Sequence, residues 1–217
     1  MKQNSHLKRS ILAAAASLGL VASAFAQNAN VAVPTPAPAE TGAGLLGFRY
    51  TEVGYNFIDL KGSDNANGFG VTYNQPLNTG FDFIANYNWA KADFTGFDAK
   101  VQDLWLGLNS FSNQSWGKPF VLAAVGWEWQ KVAGFRDDSF QFKVGTGAEF
   151  TVAPAFSLTP YLNYARATSF NASEIELGVK AAYRLNESWN LTARVQHNFV
   201  RHDDDNTEYG LGVAYRF

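Results

Sequence analysis

From Phe48 onward, apolar and polar residues alternate in runs separated by clusters of Gly, Asn, Asp, Pro and Ser. The last run is the clearest. Tyr209, Leu211, Val213, Tyr215 and Phe217 fall on one face, and Glu208, Gly210, Gly212, Ala214 and Arg216 on the other. Successive side chains of a β-strand point to opposite faces, so this spacing predicts strands with one apolar, aromatic-rich side and one small or charged side. Ten runs read this way, at 48–61, 69–75, 80–91, 99–110, 119–132, 139–152, 157–168, 173–185, 189–201 and 207–217. The second is the weakest, and demoting it with a neighbour leaves eight. Most runs reach the roughly 9 to 11 residues that a tilted strand needs to cross a bilayer.

The apolar side holds Val53, Tyr55 and Phe57; Phe81, Phe83, Tyr87 and Trp89; Leu104, Leu106 and Leu108; Val121, Val125, Trp127 and Trp129; Phe140, Phe142, Val144 and Phe150; Ile175, Leu177, Val179 and Tyr183; and the terminal set. Aromatics near run ends suit the interfacial girdles of a membrane barrel. The competing reading places the same residues in the core of a soluble sandwich. The opposite parity holds Glu52, Asp103, Glu128, Lys143, Glu149, Glu174, Glu176, Lys180, Arg184, Arg194, Glu208 and Arg216, with Asn56, Asn86, Gln130, Gln141, Asn163 and Gln196. The expected fold is therefore all-β, a closed antiparallel up-and-down transmembrane barrel. Closure leaves no unpaired strand edge in lipid, where each unsatisfied backbone group is costly.

A ten-stranded barrel lies near the size whose interior is filled by side chains. Charges of both signs facing such an interior need partners, so these residues are expected to form a network that plugs the lumen. Inward Gly54, Gly107, Gly126, Gly145, Gly147, Gly178, Gly210, Gly212 and Ala214 are expected to make room for bulky neighbours; the alternative is a thin water path and a narrow passive pore. With Phe217 at the periplasmic end, the outer loops fall at 62–68, 92–98, 133–138, 169–172 and 202–206 and the inner turns at 76–79, 111–118, 153–156 and 186–188. All five outer loops are short, which argues against elaborate receptor binding.

The first residues carry Lys2, Lys8 and Arg9, then an uncharged run from Ile11 to Ala26 ending in Ala24-Phe25-Ala26. This reads as a secretory signal peptide over 1–26, cleaved before Gln27. Residues 27–47, with Pro34, Pro36 and Pro38 among Ala, Thr and Gly, read as an extended, unpacked leader, and 48–217 as the barrel. The sequence holds no cysteine, so neither a disulfide nor a lipid anchor at the cleavage site is expected. Loss of the three basic signal residues makes the mature chain more acidic than the formal −2 of the full sequence, and nucleic acid is not an expected partner.

Candidate chemistry is sparse. His197 falls on the apolar side of its run, and His202 opens a tip beside Asp203, Asp204 and Asp205. A histidine beside carboxylates can act as a general base, yet no second constellation of nucleophile or paired acid accompanies it. No catalytic, cofactor-binding or metal site is expected. The acidic tip, with Arg136-Asp137-Asp138 and Asp64-Asn65, lacks the spaced ligands and turn glycine of a calcium loop. Weak bridging to anionic lipopolysaccharide, or direct contact of Arg136, Arg201 and His202 with lipid phosphates, is the most it suggests.

The span 48–217, through the ending Tyr209-Gly210-Leu211-Gly212-Val213-Ala214-Tyr215-Arg216-Phe217, resembles the small bacterial outer-membrane β-barrel superfamily that includes OmpA-type membrane domains, OmpX-like and opacity-type proteins. The resemblance implies residence in the outer membrane, and lipids and lipopolysaccharide as partners. It also implies delivery by periplasmic chaperones to the barrel-assembly machinery, with Tyr215 and Phe217 as the assembly signal. An OmpA-type peptidoglycan anchor is not expected. A structural role in envelope integrity or surface interaction is the leading expectation, and a narrow pore the alternative.

Overall fold

A computed structural model describes residues 42–60, 65–94, 97–201 and 204–217; the signal peptide, Asp64 and His202 lie outside them. Ten strands follow one another: β1 (Tyr50–Leu60), β2 (Ala66–Asn78), β3 (Phe81–Phe94), β4 (Phe97–Phe111), β5 (Lys118–Val132), β6 (Phe135–Ala153), β7 (Phe156–Ala167), β8 (Ala172–Arg184), β9 (Trp189–Val200) and β10 (Asn206–Arg216). Each pairs antiparallel with its sequence neighbours, and β1 pairs with β10 to close the barrel. The eight-strand alternative is excluded.

The second strand is a full one of 13 residues. Its glycines and Pro76 hide it from a propensity reading, and Pro76 sits where the β2–β3 register shifts, a position at which a missing N–H costs no ladder bond. Arg136, Asp137 and Asp138, expected in a loop, belong to β6. The β5–β6 hairpin turns on Ala133 and Gly134 alone, both with positive φ (51° and 85°), and Val132 pairs with Phe135. Turns of this hand match strand twist, which lets the ladder run to the tip.

The predicted apolar side faces outward throughout, with Leu108, Trp127, Phe140, Leu177 and Leu211 among its exposed residues. The inward side is buried and mostly polar, an inversion of a soluble core that suits lipid outside. Residues 42–47 depart from the unpacked leader expected for them: Ala43, Gly44 and Leu45 are buried inside the barrel end that holds Tyr50 and Arg216, here the near end.

Candidate functional site

Four layers succeed one another along the lumen. At the near end, Gly42–Phe48 forms a cork gripped by six strands. Leu45 N and Leu46 N donate to Glu149 Oε2 (2.6 and 3.3 Å), and Gly47 N donates to Asp82 Oδ2 (3.0 Å). Lys118 Nζ donates to Leu46 O, Asn190 Nδ2 to Ala43 O and Asn74 Nδ2 to Phe48 O, each at 2.8 Å. Arg216 donates to Gly42 O and Gly44 O and lies over the Phe48 ring, 4.1 Å from its centroid. A buried segment without regular structure must find partners for its backbone groups, and these side chains supply them. Leu45 packs with Tyr50, Ala182 and Ala214; Leu46 packs on a cluster of Ile84, Phe111, Phe120 and Tyr161.

Above the cork is a cavity of about 140 Å³, lined by Tyr50, Glu52, Thr72, Asn86, Thr159, Lys180, Thr192 and Arg194 among others. Glu52 accepts from Lys180 Nζ and from Thr192 Oγ1 (2.8 Å). Arg194 donates to Glu208 and to Asn56 Oδ1 (3.2 Å).

The third layer is a buried polar mesh. Lys143 Nζ lies 2.5 Å from Glu176 Oε1, an ion pair with both side chains wholly buried. Lys143 also sits 4.8 Å from the Trp105 ring centroid. Asn163 Nδ2 donates to Glu176 Oε2 (2.7 Å), Asn88 Nδ2 to Asp103 Oδ1 (2.8 Å), and Gln130 and Gln141 both donate to Glu128. A chain of donors runs from Tyr161 Oη to Gln196, on to Asn198 and then to Asn206, each step 2.7 Å. Glu174 is buried beside the Glu176 carboxyl, and no Asn, Gln, Lys or Arg among the described residues donates to it.

The far end is apolar. Ile58, Leu60, Ala66, Ala90 and Ala92 pack with Phe94; Ala99 and Val101 pack with Phe94, Phe97 and Val132, and the two phenylalanine rings stack at 5.0 Å. The sequence reading, which expected a polar lumen throughout, missed this cap and the cork. Its signal was present in β1, where the inward set Glu52 and Asn56 gives way to Ile58 and Leu60.

Of the predicted charged residues, Glu52 meets Lys180, Arg194 meets Glu208, and Lys143 meets Glu176. Asp103 and Glu128 are held by amides, while Glu149 and Arg216 hold the cork. Arg184 stays apart and donates to Pro154 O (3.2 Å) at a turn. Asp82 and Lys118 join the set unforeseen. Tyr215 faces outward against Trp189 and Phe217, at 4.8 and 5.2 Å between ring centroids. His197 faces outward too, with Nδ1 2.9 Å from Thr207 Oγ1. Among the described residues no group of three or more His, Cys, Asp or Glu is placed to hold a metal ion.

The inward glycines receive bulky side chains from the neighbouring strand. Trp105 is the register partner of Gly126, Phe120 of Gly147 and Tyr161 of Gly178. A Cβ at Gly126 would lie 2.7 Å from the Trp105 ring and 2.8 Å from Leu104 O. Because Trp105 is wholly buried and has nowhere to move, Gly126→Ala is expected to cost about 1 to 3 kcal/mol of overpacking. Urea unfolding in detergent measures it, and an unchanged midpoint would contradict this packing.

No protein-family model matches the chain, and no curated protein matches it. Among solved structures it is similar to an outer-membrane channel from Pseudomonas putida F1, 10% identical with a TM-score of 0.53, over 83% of this chain and 99% of that one. It is also similar to the translocator domain of the autotransporter NalP from Neisseria meningitidis (11% identity, TM-score 0.49, 80% of this chain and 90% of that one). A third is Ail, the attachment invasion locus protein of Yersinia pestis (14%, TM-score 0.41, 80% and 100%). By fold, the protein is a closed ten-stranded antiparallel β-barrel, similar in architecture to that outer-membrane channel. A shared fold at such identities says nothing of activity.

Proposed function

We propose that this protein is an integral outer-membrane barrel with a closed lumen, serving envelope integrity or surface interaction and carrying out no catalysis. The cork carries this reading. A segment held by side chains of β2, β3, β5, β6, β9 and β10 is part of the folded wall, and behind it the polar mesh and the apolar cap close the lumen twice more in series. A conducting path needs all three open at once. Residues 1–26 then act as the secretory signal, the near end faces the periplasm, and chaperones and the assembly machinery deliver the chain with Tyr215 and Phe217 as its recognised end.

The cavity favours a second reading, a narrow passive pore, because Glu52, Lys180 and Arg194 keep part of their surface open to it. Single-channel recording on the refolded mature chain separates the two. Background current is expected from the wild type. Steady current whose ion selectivity changes in Glu128→Ala or Arg194→Ala would replace the closed barrel with a small porin.

A further inference from the structure

At the far end the outward face of β3 to β6 carries four cations in direct register. Lys91 pairs with Lys100, Lys100 with Lys131, and Lys131 with Arg136. Adjacent strands lie about 4.8 Å apart, so the row spans roughly 14 Å of the barrel wall. Like charges directly opposite one another on a sheet face are destabilising. Lys91 reaches Asp93 (2.5 Å) and Lys100 reaches Asp98 (2.9 Å), but these are exposed pairs within single strands and contribute little. Lys131 and Arg136 are exposed and have no ion-pair partner among the described residues. The row therefore presents net positive charge to its surroundings, most of it at Lys131 and Arg136.

The rows beneath define what kind of anion. Two residues along each strand, the next outward row reads Trp89, Gln102, Trp129 and Asp138, with Tyr87 Oη donating to Gln102 Oε1 (2.9 Å). The row after that reads Tyr87, Leu104, Trp127 and Phe140, and Leu106, Val125 and Phe142 follow. Cation, aromatic and aliphatic rows succeed one another in the order of phosphate, interface and acyl chain in a lipid leaflet. Asp138, below Arg136, restricts the anion to the upper row.

We propose that Lys91, Lys100, Lys131 and Arg136 form a binding site for a phosphorylated glycolipid of the outer leaflet, the lipid A portion of lipopolysaccharide, with its phosphates on the cation row and its acyl chains on the aromatic and aliphatic rows below. Arginine and lysine bind phosphate by charge-assisted hydrogen bonds, and the neighbouring cations present several at once. This deepens the envelope reading and rests on it for the outer-leaflet setting. It does not depend on whether the lumen conducts.

Native mass spectrometry of the refolded mature protein tests it, with bisphosphorylated lipid A, lipid A stripped of both phosphates, and a phosphatidylethanolamine control. The wild type is expected to retain the bisphosphorylated lipid at least about tenfold better than the stripped one, because each surface cation near anionic lipid adds to the attraction. Lys100→Ala/Lys131→Ala/Arg136→Ala is expected to abolish that preference, and Lys100→Arg/Lys131→Arg to keep it. Inorganic phosphate at equal concentration is expected not to displace the lipid; displacement would make this a free-anion site and overturn the assignment, as would equal retention of both lipid A forms or a preference unchanged in the triple alanine variant. Heat-shifted gel mobility confirms that the variants fold, and conductance of the same samples reports on lumen closure separately.

Discussion

Lys143→Met is expected to destabilise the folded barrel by about 3 to 5 kcal/mol, the cost of leaving a buried charge without its partner. Lys143 and Glu176 are wholly buried, two strands apart on β6 and β8, and Asn163 Nδ2 also donates to the Glu176 carboxylate at 2.7 Å. Methionine keeps most of the lysine's volume and its contact with the Trp105 ring, so the loss reports charge and not a cavity. The double variant Lys143→Met/Glu176→Gln is expected to recover most of the stability, because removing both charges removes the desolvation cost together with the attraction. Lys91→Ala is the contrasting control: its partner Asp93 is 73% exposed, and the unfolding midpoint is expected to stay unchanged. Urea unfolding in detergent, followed by tryptophan fluorescence, measures all three. A Lys143→Met barrel as stable as the wild type would show that the mesh does not depend on this pair.

The second large effect concerns the cork. Glu149→Ala removes the acceptor of Leu45 N and Leu46 N and leaves Gly44 without the carboxylate it lies against. Two hydrogen bonds to a charged group are worth about 3 kcal/mol together, which raises the undocked population about a hundredfold. The sequence has no cysteine, so Thr159→Cys on the cavity wall provides a unique thiol. Its labelling by a charged, water-soluble thiol reagent is expected to be slow in an otherwise wild-type barrel and to accelerate about a hundredfold with Glu149→Ala, in keeping with that population change. Conductance is expected to stay at background in the same variant, because the mesh and the apolar cap remain. Fast labelling with Glu149 intact would mean that the cork does not seal the cavity.

Strand number and the two faces were legible along the chain because period-two alternation is a local property, and a strand buried on one side and in lipid on the other must express it. The residues assigned to the outer side face outward, and those assigned to the inner side face inward except Arg184, which lies at a turn; the sequence reading assigns no residue of β2, a full strand from Ala66 to Asn78. Strand ends were less legible. Residues 136–138 look like a polar loop because all three are charged and show no apolar face, and only the two-residue turn at Ala133 and Gly134 shows that pairing continues.

What each inward charge meets could not be read from the chain. Lys180 and Glu52 are 128 residues apart in sequence, and Arg216 and Gly42 are 174 apart; barrel closure and register bring them together. The cork was invisible for the same reason: residues 42–47 have no periodicity, and their backbone groups become satisfied only where side chains from six strands converge on one mouth. Alternation along a strand determines which side a residue faces. Which residue it meets there depends on the stagger between strands and the closure of β1 on β10, and those exist only in the folded barrel.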